Sequence, residues 1–227
     1  MIIKAFGIPL ATLLITLAGC TDPAPTSTPD PVPSPTTSGY QVPTGIHFAE
    51  HWVPTPAVDL MSSDGTFIRA FAESSTLQNF NGPLEPGMLD ADARLYPGFR
   101  RADRTGRSPL GWFDAVYGYK VQWVLSFEET PGNAAKAVVC SFGSINPTNE
   151  DAPSIMGLTL RYHRTGTPPP ANQRGPARAP AISVFGDWYA TDFGSEGEHS
   201  DMPCVDSQPN TINKSHQSTP GWPESGV

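Results

Sequence analysis

Between residues 119 and 127 the chain reads Tyr-Lys-Val-Gln-Trp-Val-Leu-Ser-Phe. Large apolar side chains (Tyr119, Val121, Trp123, Leu125, Phe127) alternate there with Lys120, Gln122, Val124 and Ser126. A period of two belongs to an extended strand with one face buried, and it excludes a helix, whose faces recur about every 3.6 residues. Residues 128–134 contain Pro131-Gly132-Asn133 and predict a turn, after which residues 135–142 return as a second strand carrying Cys140. A third strand is expected over residues 158–163, with Leu158, Leu160 and Tyr162 inward. A fourth is expected through Ile182, Val184 and Phe185 toward Trp188, beyond a Pro- and Arg-rich loop at 164–180. Upstream, Ser63-Asp64 predicts the start of a helix that gathers Phe67, Ile68, Phe71 and Ala72 on one side and pairs Arg69 with Glu73 on the other; Asn79 to Pro83 ends it. Leu95, Tyr96 and Phe99 then predict a short helix or hook over the core. The expected class is α+β, an N-terminal helix packed on a curved antiparallel sheet of about four or more strands.

Proline is spread unevenly. Residues 21–43 are almost entirely Pro, Thr, Ser, Asp and Gly, which cannot bury enough apolar surface to offset the entropy of ordering. Before them lies Met-Ile-Ile-Lys and an apolar run to Ala18, shorter than a comfortable membrane span and shaped like an export signal. It ends in Leu17-Ala18-Gly19-Cys20, which resembles the bacterial lipoprotein lipobox at all four positions. That resemblance implies cleavage before Cys20, a diacylglycerol thioether on its sulfur, and attachment to the outer face of the cell membrane. Two or three acyl chains, at roughly 0.8 kcal/mol per buried methylene, hold a protein where one chain does so only marginally. The expected organisation is a leader at 1–19, a lipidated cysteine and flexible tether at 20–43, one domain at 44–205 and a polar tail at 206–227. If Cys20 carries lipid, Cys140 and Cys204 remain as an even pair in an oxidising compartment. A disulfide is expected between them, two free thiols being the competing reading.

The element order, a leading helix and then a meander of long strands, resembles the cone-shaped fold of ketosteroid-isomerase-like and nuclear-transport-factor-like proteins, which is also common among actinobacterial surface lipoproteins. No residue motif carries that likeness, so it implies no catalytic residues here.

Chemistry is sparse. The formal net charge of −8 argues against nonspecific nucleic-acid binding. Arg94, Arg100, Arg101, Arg104 and Arg107 are crowded together and could grip an anionic head group or polymer, but Asp90, Asp92 and Asp103 lie among them, and the stretch reads as a mixed-charge surface loop. His47, Glu50 and His51 follow the H-x-x-E-H spacing of a class of zinc peptidases. Such a site needs both histidines on one helix face, and Pro54 and Pro56 stop a helix here. The stretch is expected instead to anchor the start of the domain through Ile46, Phe48 and Trp52, with the histidines partly exposed. Asp187, Asp192, Glu196, Glu198, His199 and Asp201 lack the regular spacing of a calcium loop and read as a solvated acidic loop pinned by Cys204. No nucleophile elbow, phosphate loop or dinucleotide fingerprint occurs, and no cofactor or metal is expected.

The expected function is that of a lipid-anchored exported binding module without enzymatic activity. Its partner is an envelope protein, a polymer or a small apolar ligand. The alternative is a small-molecule carrier or isomerase-like enzyme with a pocket in the cone, for which Tyr119, Trp123, His163 and Asp114 are the candidate lining residues. An envelope factor carried by a prophage or plasmid is a third reading.

Overall fold

The computed structural model describes residues 39–43, 45–80, 94–107, 116–144, 153–196 and 201–224. The elements run β1 (Ile46–Trp52), α1 (Ser63–Leu77), α2 (Phe99–Ala102), β2 (Val116–Thr130), β3 (Ala134–Ser144), β4 (Ser154–His163), β5 (Tyr189–Gly194) and α3 (Met202–Asp206). The class is α+β, with α1 preceding a strongly curled, half-barrel sheet of five strands in the order β1-β2-β3-β4-β5.

The sheet is mixed rather than antiparallel. β1 lies parallel to β2, with Ile46 opposite Val116 and Trp52 opposite Gln122, whereas the β2–β3, β3–β4 and β4–β5 pairs are antiparallel. The turn between β2 and β3 has Gly132 and Asn133 at φ 80° and 57°, the left-handed region that those two residue types tolerate best. The fourth antiparallel strand begins where the expected one ends, at Tyr189. Val184 and Phe185 are neighbours in sequence and both are buried, which a strand with one buried face does not allow, and they belong to the loop before β5. In β5 itself Ala190 and Phe193 face the core three residues apart, because the register shifts between Arg161 and Tyr162 of the partner strand. That shift erases the period-two signal.

α1 is capped by Ser62, whose hydroxyl accepts from the Gly65 N–H at 3.0 Å; the cap is thus one residue earlier than the expected Ser63-Asp64. Gly65 is required by the approach of the preceding turn, since a Cβ there would lie 2.3 Å from the Asp59 carbonyl oxygen. Phe67 stacks on Tyr162, and Phe71 packs on Phe99 and Phe193. Leu95, Tyr96 and Phe99 close over this cluster as the expected hook. The opposite side of α1 is also buried, Arg69 and Glu73 included.

Two apolar cores flank the sheet. The face against α1 carries Val124, Val139, Ala137, Leu160 and Tyr162. Trp123 is on the other face, against the Cys140–Cys204 disulfide and Leu125, Phe142 and Ile155. The inward set expected for β2 is therefore reversed near its middle: Lys120, Gln122 and Val124 face α1, and an irregularity between Val124 and Ser126 returns Phe127 to that side. The disulfide closes a separation of 64 residues, which on the chain-entropy model contributes about 4 kcal/mol, and it is compatible with an oxidising, extracellular location.

The last segment belongs to the domain and is not a polar tail. Trp222 is fully buried, Thr219 bridges His51 at the edge of β1, and Ala177 exchanges both backbone hydrogen bonds with Trp222. One indole and a run of backbone bonds suffice to seat a stretch whose mean composition is polar. Among the described residues no helix is long and apolar enough to cross a membrane.

Candidate functional site

β1, α1 and β2 bring a polar seam into the interior. Glu73, on α1, accepts hydrogen bonds from Trp52 Nε1 at 2.8 Å, Tyr96 Oη at 2.6 Å and Trp222 Nε1 at 2.8 Å. Three elements distant in sequence thus converge on one carboxylate. One turn earlier, Arg69 donates to the carbonyls of Gln173, Pro220 and Gly221 at 2.7, 2.9 and 3.1 Å, with its guanidinium 4.4 Å over the Trp222 ring. The two charges expected to pair with each other instead hold segments distant in sequence, and both reach the C-terminal stretch at 220–222.

Glu50 on β1 accepts from Gln122 Nε2 at 2.7 Å, and its other oxygen lies 3.9 Å from Arg178 Nη2; neither of those two atoms has a hydrogen-bond partner. Arg178 is anchored by donating to the Phe48 carbonyl at 3.0 Å and to Tyr96 Oη at 3.2 Å. Burial pushes the Glu50 carboxyl up to about 7, against the pull of Lys120 and Arg178. The same burial lowers the Lys120 ammonium.

These directions fix the sign of a pH effect. Below the unfolded carboxyl value of 4.5, Glu50 is protonated in both states and its contribution is fully present. It is lost as pH rises toward about 7, because only the unfolded chain then releases the proton freely. His51, lowered by burial, works in the opposite sense as pH falls. Comparing variant with parent isolates Glu50. The unfolding free energy of Glu50→Gln relative to wild type is expected to rise by on the order of 3 kcal/mol between about pH 4 and pH 8, read from urea titrations; a difference independent of pH excludes a raised Glu50.

Lys120 ties this seam to the surface. It is the β2 neighbour of Glu50 across the β1–β2 pairing, and its ammonium donates to Thr76 Oγ1 at 2.7 Å in the last turn of α1. There a cavity of about 280 Å3 opens between the helix end and β2 to β5. Lys120, Arg107, Asn79, Ser141 and Ser154 supply its polar wall, and Met156, Leu158 and Phe193 its apolar wall. Of these positions the sequence singles out Arg107, within the crowded arginines, and Leu158, as an inward strand residue, but nothing joins them into one site; Lys120 is hidden because it occupies what reads as the outward phase of the strand.

The residues singled out from the sequence are scattered. Tyr119 lies under the Lys214 ammonium, 5.1 Å from the ring centroid, and Trp123 donates to Ser207 Oγ at 3.1 Å beside the disulfide. His163, at the far end of β4, stacks on Tyr189 and lines a separate shallow hollow with Thr130 and Arg161. Asp114 and Cys20 lie outside the described residues.

The H-x-x-E-H stretch is strand β1, so Glu50 points away from the face that carries His47 and His51, and the two histidines are about 13 Å apart along the strand. His47 is exposed and stacks on Tyr117. His51, expected to be partly exposed, is buried: the C-terminal segment covers it, with Thr219 Oγ1 at 2.8 Å from Nδ1 and the Ser215 carbonyl at 2.9 Å from Nε2. The acids after β5 are also dispersed. Asp187 accepts from the Thr167 N–H, Asp192 and Glu196 pair with Arg161, and Asp201 accepts from the Gly157 N–H; Glu198 and His199 lie outside the described residues. In the basic stretch, Arg104 covers the Tyr189 ring and Arg101 donates to the Gly186 carbonyl.

Comparisons with protein-family models, with curated proteins and with solved structures gave no significant match.

Proposed function

We propose that the protein is a lipid-anchored exported binding module, held to the outer face of the cell membrane through Cys20 and lifted from it by residues 21–43. The Leu17-Ala18-Gly19-Cys20 lipobox supports the anchor, and the Cys140–Cys204 bond is in keeping with export. The observation that carries the binding role is the cavity at the end of α1. Its described wall offers recognition groups, a lysine, an arginine, an amide and hydroxyls, beside an apolar surface. The two buried carboxylates are turned away to their own donors: Glu73 to Trp52, Tyr96 and Trp222, and Glu50 to Gln122.

The alternative of a pocket-bearing carrier or enzyme in a cone-shaped fold is favoured by the same cavity and by the curled sheet. It differs in needing turnover of the bound molecule. Binding to an envelope protein or polymer is compatible with the same anchor.

The anchor is tested by mass spectrometry of the chain purified from its native membrane. The expected product begins at Cys20 and carries a diacylglyceryl adduct, and Cys20→Ser moves the chain from the membrane fraction to the soluble one. An unmodified sulfur at residue 20, or a mature terminus elsewhere, removes the reading.

A further inference from the structure

We infer that the cavity at the end of α1 is a binding site for a small organic anion, one bearing a carboxylate or phosphate on a short apolar body. This rests on the proposed binding role and names the chemistry of its ligand. The chain as a whole is acidic, with 22 Asp and Glu against 14 Lys and Arg, yet the described residues lining this cavity include Lys120 and Arg107 and no acid. A local inversion of charge of this kind attracts an anion that the rest of the surface repels.

Both cations retain donors. Lys120 has three N–H groups; its hydrogen-bond partner among the described residues is Thr76, and its cross-strand neighbour Glu50 is bonded to Gln122 instead. The Arg107 guanidinium has five N–H groups, uses one on the Phe193 carbonyl, and rests 5.6 Å from the centroid of the Phe193 ring. Each side chain is thus fixed at one point and open elsewhere, which suits charge-assisted bonds to a carboxylate or phosphate. Ser141 and Ser154 add hydroxyls that donate to the same head group. Met156, Leu158 and Phe193 form the wall for an apolar body, and a volume of about 280 Å3 limits that body to a small molecule. A cationic ligand meets like charge here, and a neutral one covers both cations without supplying a counter-charge for their remaining donors.

The test uses the full exported chain in lipid nanodiscs, with empty discs as the blank. Benzoate, phenyl phosphate, benzyl alcohol and benzylamine are titrated and followed by saturation-transfer NMR. Benzoate and phenyl phosphate are expected to compete with each other, to bind at least about tenfold more tightly than benzyl alcohol, and to weaken as salt is raised; benzylamine is expected not to bind. The order of the two anions assigns the head group. Lys120→Met is expected to weaken both anions by about tenfold or more. Should that variant fail to fold, Arg107→Gln and Met156→Asp, both at exposed positions, carry the same expectation, the second by placing a carboxylate in the wall. Benzyl alcohol binding as tightly as the anions, or folded Met156→Asp binding them like wild type, overturns the assignment. Acylation of Cys20 is read separately by mass, so loss of the anion site and loss of the anchored reading are distinguishable.

Discussion

Replacing Glu73 with alanine is expected to destabilise the fold by on the order of 4–6 kcal/mol, a large share of the total stability of a single domain. The reason is the number of groups that lose their partner together. Trp52 Nε1, Tyr96 Oη and Trp222 Nε1 all donate to this carboxylate, and all three side chains are buried. An unpaired buried donor costs about 1–3 kcal/mol, and the cavity left by the missing carboxyl adds to that. Glu73→Gln separates charge from geometry. Its amide oxygen can retain the two donors on Oε2, while its NH2 is turned against Trp52, so a smaller loss of about 2 kcal/mol is expected. The check is a pair of urea unfolding curves with unchanged slope. An alanine variant within about 1 kcal/mol of wild type excludes the three-donor arrangement.

The second large effect is expected from a stop codon after residue 216. Truncation removes Trp222, whose burial at about 25 cal/mol per Å2 over some 200 Å2 accounts for roughly 5 kcal/mol. It also strips two carbonyl acceptors from Arg69, the Thr219 bridge from the Glu50–Trp52 backbone, and the Thr219 hydroxyl from His51. Arg69 is fully buried, so its guanidinium is left with the Gln173 carbonyl and the coulombic field of Glu73. The shortened chain is expected to lose cooperative unfolding at 25 °C, seen as a collapsed near-UV circular dichroism signal. If the segment is instead a dispensable tail, the truncated domain keeps its near-UV spectrum and its Tm.

Those two effects also mark where sequence patterning stops being informative. The three long antiparallel strands, the Gly132-Asn133 turn, the disulfide and the apolar side of α1 were all legible, because each is signalled by a local period, a turn dipeptide or cysteine parity. Arg69 and Glu73 were not. Four residues apart on a helix they look like a solvated ion pair, and their actual partners, Gln173, Pro220, Gly221 and Trp222, come from the other end of the chain. Lys120 and Gln122 misled in the same way. Polarity assigned them to solvent, whereas Glu50 and Thr76 make their side of the strand habitable in the interior. A trace of this was present in Val124, an apolar residue in the supposedly outward set, and in the lone Trp222 within a polar terminus. β1 escaped notice because parallel pairing to β2 is a long-range event, and its seven residues sit between proline-rich stretches that suggest an irregular lead-in.

The pairing of the outermost strands bears on how copies of this chain meet one another. On one rim, Thr219 occupies the free backbone groups of Glu50 and Trp52, and Arg178 takes the Phe48 carbonyl; on the other, the Arg104 N–H takes the Ala190 carbonyl. Exposed rims invite strand-by-strand fibre growth, a hazard that worsens when molecules are crowded in two dimensions. With backbone groups on both borders taken by the chain's own loops, those groups are closed to strand addition from a neighbouring copy.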